Sequence, residues 1–551
     1  MGQSGSGKTT LLNILSCRQK IPTNSQYTKE VLVNNIPLNS NNFGKIAAYV
    51  MQDDILLSTM TPFESLTFAA NLRLNCSKEE RKARVNLLIS DLMLKKCANR
   101  TIGSIIDGGI SGGEKKRTAI GVEMITDPQI IFLDEPTSGL DSFTAYSLIK
   151  VIKRLCLNQN KTVISTIHLP SSDIFNMFDR LILLIKGKEI YQGNSKLIYE
   201  YAEKIGKPIP LYTNPSDHMM KIMYRSEPPE IEQEEFHNNL INLYQNSQLN
   251  EVKELIGSNT CDTLNFNDLK LLRGSHFLKS FKYLLYRCAI NLMRNVFYTY
   301  VRIIVYIYLS ILIIMVYYNQ TEITLKGIKN KTGAIFFTLI STFVTSMQFV
   351  ILTFPEEREL FLREQSNKMY GVFSYFISKS IMEIPLLIFI PLLVTLIVYW
   401  AVGFRNDFEA FFNIFGCLSI LMFTSNSLGL TLGCIFPNFR IVIYVTAIVI
   451  IPIIMFCGYL SNVETIISWL QWVQYLSPMR YSLEIIFTKE FVKSDFSYNN
   501  TYLQPQYPLE QYNYNVGTTI CWIGLVSIGI FVRILGLIFL KIRAYIHTNQ
   551  E

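Results

Sequence analysis

The chain has 551 residues, too many for one ordinary domain, and only 17% are charged, against about 25% in a typical soluble domain. The net charge of +8 comes without a basic cluster interleaved with aromatics, which argues against nucleic acid as a partner. The ten cysteines are scattered without a CxxC pair, which argues against a zinc site or a disulfide framework.

In chain order, the first element is the run Gly2 to Thr9, Gly-x-x-x-x-Gly-Lys-Thr, which reads as a phosphate-binding loop opening a helix. Gly5 and Gly7 let backbone N–H groups close around phosphate oxygens, Lys8 brings a point charge to the β- and γ-phosphates, and Thr9 offers a hydroxyl to Mg²⁺. Gly2, Ser4 and Thr10 complete the expected nucleotide-binding set. The following helix directs its positive end at the phosphates. Next, "TPFESLTFAANLRL" (61–74) and "KEERKARVNLLISDLML" (78–94) have the spacing of amphipathic helices.

"QIIFLDEP" (129–136) predicts a parallel strand buried on both faces. It delivers Asp134 and Glu135 to the strand's C-terminal end, where open α/β sheets bind ligands. Asp134 suits the Mg²⁺ shell, and Glu135 suits polarising an attacking water. "TVISTIH" (162–168) predicts a second apolar strand ending at His168. "FDRLILLIKGKEIYQGNSK" (178–196) predicts a hairpin around Lys186-Gly187-Lys188. "SEPPEIEQEE" (226–235) predicts a poorly ordered, solvated connector.

Residues 296–541 are mostly apolar, and six stretches reach the length needed to span a bilayer. They are about 297–318, 333–354, 376–404, 410–439, 441–463 and 516–540. Arg302, near the cytosolic end of the first, is expected to snorkel. "TIISWLQWVQYLSPM" (465–479) suits an interfacial or re-entrant helix. With the nucleotide-binding half in the cytosol, Lys279, Lys282, Arg287 and Arg294, the 355–375 loop (Arg358, Arg363, Lys368), and Lys541 and Arg543 all fall inside. Lys326, Lys329 and Lys331 in the first external loop run against that rule.

Between the phosphate loop and the DE-ending strand lies "ISGGEKKR" (110–117), and here the sequence resembles the ABC ATPases. The resemblance implies that Ser111, Gly112, Gly113 and Glu114 are the signature that completes the ATP site of an opposite subunit. It also implies that Gln52 is the Q-loop residue sensing Mg²⁺, Asp141 in "SGLD" the D-loop aspartate, and His168 the switch histidine. Family members carry a strand and an adenine-stacking aromatic before the phosphate loop, and both are missing here. That fits a truncated start at an internal methionine, or a short chain with impaired ATP binding.

One nucleotide domain followed by six spans resembles the G subfamily, the white-type half-transporters. "IHLPSSDIFNMFDRL", "NPSDH" (214–218), "FPEERELFLRE" (354–364) and "WLQWVQYLSPMRYSLE" (469–484) carry the likeness onward. Tyr459 in "FCGYL" stands where many members have a leucine, and Leu169 where glutamine is common. The expectation is an α/β P-loop ABC ATPase domain with a helical subdomain (1–205), a linker (206–275), and an all-α six-span transmembrane domain (276–551) with a large external loop at about 464–515. The implied function is ATP-driven export of a lipid, sterol or amphipathic small molecule by a homodimer, or by a heterodimer with another G-type half-transporter, in a lipid bilayer. ATP and Mg²⁺ are the implied cofactors. Phe336, Phe337, Phe343, Met347, Ile450 and Ile454 are candidate cavity linings. The alternatives are a catalytically impaired partner subunit and an ATP-gated regulator.

Overall fold

A computed structural model of the chain describes residues 1–18, 31–33, 36–38, 43–44, 46–104, 108–223, 241, 277–320, 325–461, 466–491, 496–498, 501–503 and 507–550. The chain divides into two units, Met1–Ser275 with Thr548–Glu551, and His276–His547. The connector expected at 226–235 lies outside the described residues.

In the first unit, helix α1 (Lys8–Leu15) follows the phosphate loop. Strands β1 (Ala47–Val50), β2 (Ile130–Leu133) and β3 (Thr162–Ser165) make a parallel sheet in the order β1-β2-β3. β2 is central, which explains its unbroken apolar run: neither face meets water. Its register sets Val50 opposite Leu133 and Leu133 opposite Ser165, so Asp134 and Thr166 leave adjacent strands side by side.

Between β1 and β2 come α2 (Pro62–Arg73), α3 (Lys78–Asp91) and α4 (Gly112–Met124). All three open with the same local device. Thr61, Ser77 and Ser111 each accept a hydrogen bond from the backbone N–H three residues on, and Glu64, Glu80 and Glu114 reach back to the capping residue's own N–H. α5 (Ser142–Gln159) leads to β3. The hairpin of β4 (Arg180–Ile185) and β5 (Lys188–Asn194) closes the region, with a bulge between Leu183 and Leu184. Residues Pro215–Met223, within the stretch expected as linker, form a helix. Its Met219 and Met223 are buried with Phe175 and Leu183.

The second unit is helical. α6 (Phe277–Arg294) precedes α7 (Val296–Tyr317), α8 (Leu325–Ser366), α9 (Val372–Val402), α10 (Phe408–Ile435), α11 (Phe439–Met455), α12 (Pro478–Phe491) and α13 (Thr518–Gln550). Among the described residues five helices, α7, α8, α9, α10 and α13, are long and apolar enough to cross a membrane. The expected fifth span is the shorter α11, of 17 residues, with Pro452 inside it. It sits at the lower limit of about 17 residues for a spanning helix.

One expectation needs correction, and two others gain detail. The 355–375 loop is helical as far as Ser366: α8 runs through Pro355, because the strong helix formers Glu356, Glu357, Arg358, Glu359 and Leu360 follow at once. Segment 465–479 forms a 3₁₀ helix, Ser468–Leu476, that leaves Trp469, Trp472 and Tyr475 exposed, and the chain then dives into the buried helix α12 against α8 and α10. The Arg302 guanidinium lies 5.6 Å over the Phe349 ring.

The most extensive helix–helix contact among the described residues is α8 with α10. Ser425, Gly429 and Gly433 recur every fourth residue along α10, a stripe of small residues that lets backbones approach. A Cβ at Gly429 would stand 3.0 Å from the Met347 carbonyl oxygen, and one at Gly433 would stand 2.7 Å from the Phe354 ring. At the end of α10, Arg358 donates to the carbonyls of Gly433 and Phe436 (both 2.6 Å) and Pro437 (2.5 Å). A guanidinium there satisfies C-terminal carbonyls that lack a helical partner.

Candidate nucleotide site

Gln52, Asp134, Glu135 and Thr166 follow the C-terminal ends of strands, and Lys8 and Thr9 open helix α1. Gly5 and Gly7 have φ of +81° and +93°, left-handed values that a side chain disfavours, and they curl the loop so that Lys8 points back through it. Lys8 is 6% exposed, and its Nζ donates to the carbonyls of Gly2 and Gln3, both at 2.9 Å. Burial holds its pKa below the ordinary lysine value, opposed by the carboxylates of Glu135 and Asp134. Its nearest carboxylate oxygen is Glu135 Oε1, at 3.9 Å.

Hydroxyls surround Asp134. Thr9 Oγ1 donates to Asp134 Oδ1 at 3.2 Å, Thr166 Oγ1 to the same oxygen at 2.6 Å, and the Tyr49 hydroxyl to Oδ2 at 3.4 Å. Glu135 has φ of +41°, left-handed for a residue that is not glycine, and its N–H donates to Thr166 Oγ1 at 2.8 Å. Gln52 Nε2 donates to Glu135 Oε2 at 3.2 Å. Five of the residues singled out from the sequence, Lys8, Thr9, Gln52, Asp134 and Glu135, therefore meet at one place. Ser4 and Thr10 are exposed beside it, Gly2 is buried, and His168 is exposed two residues beyond Thr166.

The signature residues are placed differently. Ser111 and Gly112 are exposed at the start of α4, and among the described residues no hydrogen bond joins Ser111–Glu114 to the phosphate loop. Glu114 is occupied with the Ser111 N–H at 2.8 Å. Gly113 is required by packing, since a Cβ there would lie 2.1 Å from Thr144 Cγ2. Gly112 is not: its Cβ would meet only Leu140 Cδ2 at 3.4 Å. Asp141 caps α5, accepting from the Thr144 N–H at 3.0 Å and the Thr144 hydroxyl at 2.6 Å, and these bonds hold its pKa below the usual carboxylate value.

Tyr49, Lys116 and Thr166 belong to the cluster without having stood out in the sequence. Lys116, buried on α4, donates to the Gln52 carbonyl at 2.6 Å and lies 3.0 Å from Asp54. For Thr166 a signal was present: a hydroxyl on the strand next to the DE-bearing strand, one step past the last register pair.

The cavity candidates differ in burial. Phe336, Phe343 and Met347 are buried in the core of the second unit, whereas Phe337 is half-exposed. Ile450 and Ile454 are partly buried against that core. Phe343 and Met347 are one turn apart on the face of α8 that packs on α10. There Ser425 donates to the Phe343 carbonyl, and Gly429 of α10 lies against Met347.

Comparison with known proteins gives the family. A family model described as ABC transporter matches residues 1–138, and models described as ABC-2 type transporter match 279–491 and 168–240. Protein white of Drosophila melanogaster is 32% identical over 491 residues, covering 88% of this chain and 71% of that protein. Broad substrate specificity ATP-binding cassette transporter ABCG2 of Rattus norvegicus is 32% identical over 527 residues, covering 90% and 78%. ABC transporter G family member 14 of Arabidopsis thaliana is 30% identical over 511 residues, covering 90% and 77%. The chain belongs to the ABC transporters of the G type: a multi-pass membrane half-transporter whose nucleotide-binding ATPase domain couples ATP hydrolysis to transport.

Proposed function

We propose that the cluster around Lys8, Thr9, Gln52, Asp134 and Glu135 is the working ATP site, with Glu135 as general base. The observation that carries this is the convergence of one buried ammonium and two carboxylates at the mouth of a glycine-curled loop, 3.9 Å separating Lys8 Nζ from Glu135. Gly5, Gly7 and Lys8 hold the phosphates, and Glu135, oriented by Gln52, takes the proton of the attacking water. His168, three residues past the end of the neighbouring strand, meets the γ-phosphate in this proposal. The donor set suits Mg²⁺, a hard cation that keeps waters and takes one or two carboxylates. The Thr9 hydroxyl and Asp134 carboxylate would hold it, with Gln52 near, and it supplies charge neutralisation on the phosphoryl oxygens.

The signature works in trans in this proposal, so the unit of function is a dimer, with a second copy or with another G-type chain. Support comes from Gly112, whose missing side chain nothing among the described residues requires, and from the exposed start of α4. Asp141 sits at the neighbouring helix start. The substrate is a lipid, sterol or amphipathic molecule taken up between the two chains, against Phe337, Ile450 and Ile454. The apolar character of those side chains supports that class.

Glu135→Gln tests the core of the proposal. The amide keeps the shape and loses the basicity, so steady-state ATPase activity in vesicles is expected to fall about 10²–10⁴-fold, while nucleotide photolabelling stays at the wild-type level. Unchanged turnover would remove Glu135 from the chemistry.

A further inference from the structure

Thr166 is the point where the two carboxylates of the site are tied together. Its side-chain oxygen donates to Asp134 Oδ1 at 2.6 Å and accepts from the Glu135 N–H at 2.8 Å. The residue is 6% exposed, and its own N–H donates to the Leu133 carbonyl at 3.0 Å. Its backbone is therefore fixed by the sheet next to the strand that ends in Asp134. A β-branched side chain is stiff at χ1, so a fixed backbone also fixes the hydroxyl.

What that hydroxyl holds matters on both sides. On one side, Asp134 shares Oδ1 between Thr166 and Thr9, and Tyr49 reaches Oδ2 at 3.4 Å; the Tyr49 ring lies 4.4 Å under the Arg18 guanidinium. Asp134 is thus oriented by neutral hydroxyls, which leave its charge available. On the other side, the Glu135 backbone sits at φ of +41°, a conformation that persists only where the surroundings impose it. That turn aims the Glu135 carboxylate at Gln52 and Lys8, and the Thr166 hydroxyl pins the turn's N–H.

We infer that Thr166 is a positioning residue for hydrolysis: a single hydroxyl sets both the carboxylate facing the metal position and the backbone turn that presents the base. This inference rests on the roles proposed above for Asp134 and Glu135. Partners that orient a ligating carboxylate typically change metal affinity or activity about 10–100-fold when removed.

The test uses the full chain in vesicles, as wild type, Thr166→Val, Thr166→Ser and Glu135→Gln. Valine keeps the branch and volume and deletes both hydrogen bonds. Thr166→Val is expected to lower kcat about 10–100-fold with KM for ATP little changed. It should also raise the Mg²⁺ concentration for half-maximal nucleotide photolabelling about tenfold. Thr166→Ser, which keeps the hydroxyl, is expected to recover most of both. Wild-type kcat in Thr166→Val overturns the inference. So does a serine variant as impaired as valine, or a loss of kcat with the Mg²⁺ titration unmoved. If the valine chain fails to reach the membrane, Thr166→Ala removes the same hydroxyl without adding volume, and the same outcomes apply. Failure of the underlying proposal looks different: Glu135→Gln would then turn over at the wild-type rate whatever Thr166 does.

Discussion

Asp134 and Glu135 in the first unit, and Glu357 and Glu383 in the second, are all carboxylates near a cation, but their surroundings differ in kind. The first pair comes from consecutive residues at one strand end. Asp134 is met by neutral hydroxyls, and Glu135 by an amide and by an ammonium no closer than 3.9 Å. The second pair lies within a closed network of α8, α9, α10 and α13. Lys379 contacts Glu357 and lies 3.7 Å from Glu383. Arg533 lies 3.2 Å from Glu383 and donates to Asn426 at 2.8 Å and to Ser380 at 2.9 and 3.1 Å. Nearby, Arg287 of α6 binds Glu364 of α8 at 2.6 Å, joining another pair of helices. A cluster that keeps its charges among neutral partners is prepared for a charged ligand. One that pairs each charge within itself holds helices in register and has little left to offer a ligand.

Breaking the closed network has the largest expected effect on the fold. Glu383→Ala removes the carboxylate shared by Lys379 and Arg533, and losing one member of a buried pair costs about 3–5 kcal/mol. The melting temperature in mild detergent should drop clearly. Replacing Glu383 and Arg533 together by methionine should return more than half of it, since no unpaired charge then remains. A melt unchanged by Glu383→Ala would erase the contrast between the two clusters.

The open cluster should respond the other way. Lys8→Ala removes charge-assisted bonds to phosphate worth about 1.5–3 kcal/mol, so nucleotide photolabelling should weaken about 10–100-fold. Stability should stay level or rise. Burial disfavours the Lys8 ammonium by more than Glu135 and Asp134 favour it, so deleting it relieves a cost that outweighs the long ion pair lost. A melt that falls as far as that of Glu383→Ala would show that Lys8 is structural.

The smallest effect sharpens the signature. Ser111→Ala and Thr61→Ala each delete the capping oxygen of a Ser/Thr-x-x-Glu box, at about 1 kcal/mol of stability. Matched melts are expected, but only Ser111→Ala should also depress ATPase activity. Equal activity in the two would reduce Ser111 to a helix cap.

Chemistry carried by neighbouring residues was legible in the linear chain. The loop Gly2–Thr9 and the pair Asp134-Glu135 are set by local spacing, and the apolar spans announce themselves because a backbone in lipid must satisfy its own hydrogen bonds. The three helix starts follow from the same Ser/Thr-x-x-Glu pattern. Only the tertiary structure decided what depends on a partner elsewhere. Thr166 meets Asp134 because β2 and β3 are neighbours in register. Arg533 meets Glu383 across 150 residues. Phe343 and Met347 turn inward because the small stripe of α10 draws α8 against them. α12 is buried together with its charged residues Arg480, Glu484 and Glu490. Spacing along the chain specifies which groups share one turn or one strand end. Which of two faces a helix buries, and which distant charge closes a pair, is settled by packing, where the alternatives differ in contacts that no local pattern records.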